Sequence, residues 1–502
     1  MSVVSMREEV SDVPIFVQLV STESFSLLRR KPLVFPLLPV SMKQSLIAIS
    51  TFVPGYSTLF SNFICRIESN EHLSKANIAS GSSKNNGLLA RDCAEYHSLY
   101  IVETPAALWK KSFAEAFMIL WSSCECLLVG VDRATKSRDS GSFFLPPGSF
   151  PLKALDKLAV LCGSQDCLVL VDQLTEEEVD NLEYPQIEEH AGDTTFTRAM
   201  SMATMASLMQ DDEEIDMLSN LPEFRGHLLL CFCSSKLQLH TFVRALCNPN
   251  ERTPTLVLDV VVLTNVPELL ESMNSEEWPH GLHIIRGDPC KNSDLLGCFP
   301  QFSARIILLH KASSNEFPDF DVLLTMDILR RNQCADKVLA DLLDLSSIDI
   351  LPLAGPGDAL DRENPSSVRD MASLYFQAGQ IYDNSLGVRS MVQMFHDALL
   401  VGALRFFLAV ADGSVLSLPS ERKTVPISRR AVPQALLGRS FQDVLHFFVC
   451  REHVVLGIAR SSLSDQHIKV VSQPTKQMTM EEGDEVFLLR MGLEHMWNQE
   501  WE

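Results

Sequence analysis

The feature that most constrains the fold is an alternation of apolar runs and helix-like segments across residues 224–321. An unbroken apolar run lies at residues 228–233, further strand patterns lie at residues 256–263, 282–285 and 304–309, and the segments between them have helical character. A short run that is apolar throughout is typical of a strand covered on both faces, as in a parallel sheet. Strands that alternate with helices in this way predict a doubly wound, Rossmann-like α/β sheet.

A second constraint is a sequence pattern that occurs twice, in residues 112–133 and in residues 440–460. Each copy opens with Ser-Phe and an acid two residues later, continues as an apolar helix and a strand with glycine, and closes with arginine. Each copy then reaches a later strand led by an acid, Asp156 in the first and Asp484 in the second. The ordered matches predict a duplicated α+β lobe.

Length, composition and charge exclude several classes of protein. A chain of 502 residues, of which 46% are hydrophobic, is expected to hold more than one domain. No apolar run approaches the roughly 18 residues that span a bilayer, and residues 1–12 lack the apolar core of a signal peptide. The 13 cysteines lie in apolar surroundings that favour reduced, buried thiols over disulfides. The formal net charge of −22 argues against nucleic acid as a partner.

Tests for catalytic and cofactor motifs predict no enzyme and no catalytic residue. The turn at residues 231–236 contains no glycine, and the phosphate loop of a dinucleotide site needs glycines for close backbone approach. The pairs Cys124 with Cys126 and Cys231 with Cys233 are interpreted as buried thiols, because a zinc site needs four converging ligands. The sequence contains neither a His-Glu-x-x-His motif nor a Gly-x-Ser-x-Gly motif.

The remaining candidate for a ligand site is the acidic loop at residues 358–370. Carboxylate and amide oxygens are the ligands that hard cations prefer. The loop offers Asp361, Glu363, Asn364 and Asp370. Arginines inside the same loop oppose a bound cation, so an ordinary solvated loop is the favoured interpretation.

Several segments resemble the cytosolic part of BK-type calcium-activated potassium channel alpha subunits. The most specific are residues 54–63, Pro-Gly-Tyr-Ser-Thr-Leu-Phe-Ser-Asn-Phe, and residues 376–382, Phe-Gln-Ala-Gly-Gln-Ile-Tyr. Shorter matches lie at residues 146–148, 226–227, 287–289 and 456–458. The resemblance covers most of the chain and implies the regulatory gating ring of a potassium channel, which couples a cytosolic ligand state to pore opening and potassium transport.

The resemblance implies an α/β fold of tandem RCK (regulator of K⁺ conductance) domains. Each has a Rossmann-like lobe, a helix-crossing segment and a small α+β lobe. The implied parts are residues 1–172 for the end of a first domain that lacks its N-terminal part, 173–222 for an acidic, Met-rich linker, 223–355 for the second Rossmann-like lobe, and 356–502 for the second helix crossing and C-terminal lobe. Domains of this family pair through their helix-crossing segments. We therefore expect pairing surfaces at residues 40–63, broken into two helices at Pro54-Gly55, and at residues 381–407, also helical.

The resemblance also implies where calcium would bind. The family's calcium bowl aligns with residues 361–365, where Asp361, Glu363 and Asn364 are the candidate ligands. Two acids that coordinate calcium in the family fall opposite Arg362 and Asn364, and Ser98 stands where the first domain has an acidic ligand. Calcium is therefore poorly supported as a cofactor.

The implied partners are three further copies of the chain in a homotetrameric ring and a potassium-channel pore domain, on the same or a separate chain. The implied location is the cytoplasmic side of a membrane, attached through the pore and without a transmembrane segment in this chain. Because the pore helices of the family would precede Met1, we expect a fragment, a partial gene product or a stand-alone regulator. The alternatives are a soluble ligand-binding regulator of a transporter and a nucleotide-dependent enzyme on a Rossmann-like fold.

Overall fold

The structure is a computed structural model with two compact units. It describes residues 15–18, 34–37, 39–64, 98–133, 142–163, 165–180, 224–248, 255–272, 278–310, 319–343, 347, 375–376, 378–384, 386–387, 390, 400–407, 427–461, 468–472 and 474–492. The first unit combines Met1–Glu183 with Ser385–Glu502, and the second comprises Tyr184–Asn384. Residues 181–223, which include most of the predicted linker, lie outside the described residues.

The N-terminal part of the first unit holds a helical hairpin and a first α+β lobe. A parallel pair of strands, β1 (Ile15–Gln18) and β2 (Val34–Leu37), precedes the hairpin of α1 (Pro39–Phe52) and α2 (Tyr56–Ile64). The lobe follows as β3 (Ser98–Glu103), α3 (Phe113–Cys124), β4 (Leu127–Arg133), β5 (Ser142–Phe144) and β6 (Asp156–Cys162). Two short helices end this part, α4 (Gln165–Asp172) and α5 (Glu176–Asp180).

The second unit is built on the predicted parallel sheet. Its strands are β7 (Leu228–Cys231), β8 (Cys247–Asn248), β9 (Thr255–Thr264), β10 (His280–Arg286), β11 (Arg305–Leu308), β12 (Val338–Leu342) and β13 (Ile381–Asp383). The helices are α6 (Lys236–Leu246), α7 (Pro267–Glu271), α8 (Asn292–Leu296) and α9 (Phe320–Arg331). The order β10-β9-β7-β11-β12-β13 is parallel throughout, with β8 antiparallel beside β9.

This sheet confirms the Rossmann-like prediction and extends it. Every residue of β7 and β12 is buried, as expected for strands covered on both faces. On one face, strand residues pack with Leu295 of α8 and with Val322 of α9 in a single apolar cluster. The prediction of helix at residues 381–383 was wrong, because these residues form the edge strand β13 beside β12.

The C-terminal part of the first unit contains a second α+β lobe. After α10 (Leu400–Phe407) come β14 (Ile427–Ala431), α11 (Phe441–Val449), β15 (His453–Ser461), β16 (Ile468–Val471) and β17 (Glu485–Arg490). Its antiparallel sheet has the order β14-β17-β15-β16, and the first lobe has the equivalent order β3-β6-β4-β5. The predicted duplication is therefore confirmed.

The residues that revealed the duplication perform the same tasks in both lobes. Ser112 and Ser440 each begin a helix with a capping box, in which the serine and an acid three residues later exchange hydrogen bonds with the backbone. The closing arginines pair with the acids that lead the last strands. The distance from Arg133 Nη2 to Asp156 Oδ2 is 2.6 Å, and that from Arg460 Nη2 to Asp484 Oδ2 is 2.7 Å.

Candidate functional site

The predicted break in the first pairing segment is a tight turn between α1 and α2. Gly55 has a φ of +87°, which favours glycine, and the amide of Ser57 donates to Ser50 Oγ at 3.0 Å across the turn. Helix α2 is buried almost all round, and Leu59 has no exposed surface. A helix that is buried on all sides needs neighbouring elements to cover each of them. Part of that cover comes from the second lobe.

Glycines allow α2 to approach the second lobe closely. A Cβ atom added to Gly55 would lie 2.7 Å from Val470 Cγ2 of β16. A Cβ atom added to Gly457 of β15 would lie 3.0 Å from Leu59 Cδ1 and 2.5 Å from the carbonyl oxygen of Val471. Side chains larger than hydrogen are excluded at both positions, so backbone and side chains meet at van der Waals distance.

Two polar contacts fix the position of the hairpin. Tyr56 Oη donates to the carbonyl oxygen of Phe407 in α10 at 2.6 Å, and burial raises the pKa of this phenol, so it stays protonated. Arg429 of β14 donates from Nη1 to the carbonyl oxygen of Pro54 at 3.0 Å and forms an ion pair with Glu485. The turn between α1 and α2 is therefore held from the second lobe.

A further contact joins the two lobes directly. The rings of Trp121 and Phe441 meet edge to face with centroids 5.7 Å apart. Lys476 Nζ donates to the carbonyl oxygen of Ser122 at 2.8 Å, in the last turn of α3, where a cation is favoured by the helix dipole. Its ion pair with Glu125 at 3.3 Å is largely exposed and contributes little. In the first unit the two like lobes thus pack around the buried helices α1 and α2. This arrangement is called the clasp below.

We expect a Tyr56→Phe substitution to lower the free energy of unfolding by roughly 1–2 kcal/mol, because it removes the buried donor to Phe407. Amide hydrogen exchange at residues 400–407 should become faster than in the unsubstituted chain. Thr104→Val is the matched control, since Thr104 Oγ1 makes a buried 2.6 Å bond to the Asp156 carbonyl within the first lobe. Equal exchange at residues 400–407 in both variants would contradict the role given to Tyr56.

The turn after β7, where a dinucleotide loop would lie, is closed by its own side chains. Phe232 adopts the left-handed conformation with φ of +62° without being glycine. The amide of Ser234 donates to Gln238 Oε1 at 2.8 Å, and the amide of Gln238 donates to Ser235 Oγ at 3.2 Å. A phosphate here would have to displace these bonds. The predicted thiols Cys231 and Cys233 are buried beside this turn, as Cys124 and Cys126 are in the first lobe.

Polar residues that the sequence analysis missed meet at the same edge of the sheet. Asp319 accepts hydrogen bonds from the amide of Leu343 at 2.8 Å and from Ser347 Oγ at 2.9 Å, and His310 Nδ1 lies 3.5 Å from its Oδ1. The amide of His310 donates to Asp341 Oδ2 at 3.0 Å. These bonds fix the loops that follow β11 and β12. Their partners are distant in sequence, so no local pattern indicated them.

The calcium candidates Asp361, Glu363 and Asn364 lie outside the described residues, and so does the whole acidic loop at residues 358–370. Ser98, the residue in place of the family's acidic ligand, begins β3. Within the described ranges, no group of three or more His, Cys, Asp or Glu side chains is arranged to hold a metal ion. No helix among those residues has the length and apolarity needed to cross a bilayer.

Comparison with known proteins gives a match of fold and none of sequence. Neither a protein-family profile nor a curated protein matches the chain. The structure of the human SLO3 gating ring aligns with a TM-score of 0.70 at 13% identity, over 97% of this chain and 83% of that chain. The GsuK RCK domain and the GsuK channel bound to NAD align at 11% and 10% identity over 98% of this chain, covering 90% and 75% of their own. Their TM-scores of 0.20 and 0.21 are too low to bear on the fold. With its parallel sheet and paired α+β lobes, the chain has the fold of the human SLO3 gating ring.

Proposed function

We propose that the chain is the regulatory gating-ring region of a potassium channel, which couples a ligand state to the opening of a pore. The observation that supports this proposal is the clasp of two like lobes around α2, in a chain whose fold matches the SLO3 gating ring. Such a clasp would transmit a movement of one lobe to the other. The role that fits it is mechanical and requires no catalytic residue.

The proposed mechanism relies on transmission through the clasp. Helix α2 is covered by β15 and β16 and bonded to α10, so a displacement of the second lobe carries α1 and α2 with it. A ligand drives such a displacement only if it binds two shapes of the ring with different affinities. We propose four copies per ring and attachment to a pore domain, on the same or a separate chain, at the cytoplasmic face of a membrane.

Support for calcium control of the ring comes from the sequence of the acidic loop. Asp361 and Glu363 supply carboxylates and Asn364 an amide oxygen, which are hard-cation ligands, whereas Arg362 between them opposes binding. We propose at most a weak calcium site. Calorimetric titration of the full chain with calcium, beside a chain carrying Asp361→Asn and Glu363→Gln, tests this. Tight binding that both substitutions leave unchanged would place calcium elsewhere.

The function is tested by joining the chain to a potassium-channel pore from which the native cytosolic ring has been removed. We expect potassium currents whose voltage dependence differs from that of the pore alone. Leu59→Asp, which breaks the clasp, should abolish the difference, and Leu155→Asp should preserve it, because Leu155 lies in the same unit but is 83% exposed. Currents identical to those of the bare pore would contradict a gating role.

A further inference from the structure

Three cysteines converge at one end of the first lobe. Cys126 immediately precedes β4 and Cys162 ends β6. The register of these antiparallel strands pairs Leu127 with Leu161, and the next pair of the ladder places Cys126 opposite Cys162. Cys167, in the first turn of α4, has its carbonyl oxygen 4.0 Å from Cys126 Sγ. The neighbouring residues Cys126, Cys162 and Cys167 are called the thiol triad below.

The Cys126 side chain interacts with both other members of the triad. Side-chain hydrogen bonds with Cys162 and then Cys167, together with burial, raise the pKa of the Cys126 thiol. Cys126 is therefore a neutral thiol at the centre of the triad. A disulfide needs Cβ atoms about 3.5–4.5 Å apart, so the Cys167 side chain must move onto Cys126 Sγ, which lies 4.0 Å from the carbonyl oxygen of the same Cys167.

The members of the triad differ in their access to solvent. Cys126 is 0% exposed and Cys162 is 1% exposed, whereas Cys167 is only half-buried. A small oxidant dissolved in water therefore reaches Cys167 first. Oxidation at cysteine follows exposure as well as thiolate character.

We propose that Cys167 and Cys126 are a peroxide-sensitive pair that forms a disulfide between α4 and the base of β4. Hydrogen peroxide transfers one oxygen to the Cys167 sulfur, which gives a sulfenic acid, and its other oxygen leaves as water. The Cys126 sulfur then attacks the Cys167 sulfur, the S–S bond forms as the S–O bond breaks, and hydroxide departs with the Cys126 proton as a second water. Two thiols and one peroxide thus give one disulfide and two waters.

Two measurable effects are expected, one on the stability of the first unit and one on the rate at which the disulfide forms. It would close a loop between residues 41 positions apart and so raise the midpoint of thermal unfolding. Because the neutral form of Cys126 is favoured, its attack is slow near neutral pH and becomes faster as the pH rises. Neither effect depends on the gating role proposed above.

The test is peroxide treatment of the full, unsubstituted chain, followed by alkylation of the remaining thiols and peptide mapping. We expect a linked peptide that contains Cys126 and Cys167, with a mass loss of about 2 Da for the disulfide. In Cys126→Ala the sulfenic acid of Cys167 should persist and react with dimedone. In Cys162→Ala the linked peptide should still form.

Cys450 is the internal control, because it is exposed and lies on the second lobe. Its oxidation shows that the peroxide dose was sufficient. Full alkylation of Cys126 after Cys450 has been oxidised would overturn the proposal, and so would a linked peptide that joins Cys126 to Cys162. Because the decisive measurement uses the unsubstituted chain, a folding defect in a variant leaves it unaffected.

Discussion

Replacing Leu59 by Asp is expected to lower the free energy of unfolding by about 4 kcal/mol or more and to separate the two lobes. Leu59 has no exposed surface and its Cδ1 faces Gly457 of β15, so the substitution loses apolar packing and leaves a carboxylate without water. Urea unfolding followed by circular dichroism measures the loss of stability. Sedimentation velocity should show a lower sedimentation coefficient, as expected for an expanded first unit.

The control is Leu155→Asp, at a leucine of the same unit that is 83% exposed. Its effect should stay within about 0.5 kcal/mol, as for ordinary surface substitutions. Phe60→Asn, one residue along the buried helix, should behave like Leu59→Asp. If the Leu59 and Leu155 variants have the same stability and sedimentation coefficient, the pairing role of α2 is wrong.

Removing the Arg460 side chain is expected to cost roughly 3–5 kcal/mol of stability, because it leaves a buried carboxylate without its cation. Asp484 is 1% exposed and accepts from Arg460 Nε at 3.0 Å and Nη2 at 2.7 Å. These bonds raise the pKa of Arg460, which therefore stays charged. Equilibrium unfolding in urea of the Arg460→Ala chain measures the cost.

Two comparisons distinguish the loss of the ion pair from a nonspecific loss of stability. Arg490→Ala, at an exposed position of β17, should change stability by no more than about 0.5 kcal/mol. The double variant Arg460→Ala with Asp484→Ala should recover part of the loss, since the buried charge is gone as well. A double variant no more stable than Arg460→Ala would show that this ion pair does not stabilise the second lobe. The duplication also predicts that Arg133→Ala costs a similar amount.

The sequence predicted the parts of the fold that depend on local patterns. The sheet was visible because β7 lies in an unbroken apolar run, and β9, β10 and β11 lie in strand-like segments separated by helical ones. The strand β13 has only Ile381–Asp383, too short for any periodicity, and its pairing with β12 is set by position in the sheet. The left-handed conformation of Phe232 in the turn after β7 was not predictable from the sequence either, because packing compensates for a backbone conformation that favours glycine.

The position of the candidate site along the chain was predictable from the sequence, whereas its contacts were not. The apolar spacing of α2 and the Pro-Gly turn were sufficient to predict the helical hairpin. The bond from Tyr56 spans 351 residues of sequence, and that from Arg429 to Pro54 spans 375. Nothing around either residue marks its partner. The repeat marked the arginines and acids of both lobes as equivalent, whereas only the fold showed that they pair.

The first unit is assembled from two stretches of chain with the whole second unit between them. A ribosome therefore releases α2, which ends at Ile64, long before β17, which begins at Glu485. At about 5–20 residues per second this delay lasts roughly 20 to 80 seconds. During that time the apolar surface around Leu59 lacks its eventual cover, which makes the nascent chain a natural client for chaperones.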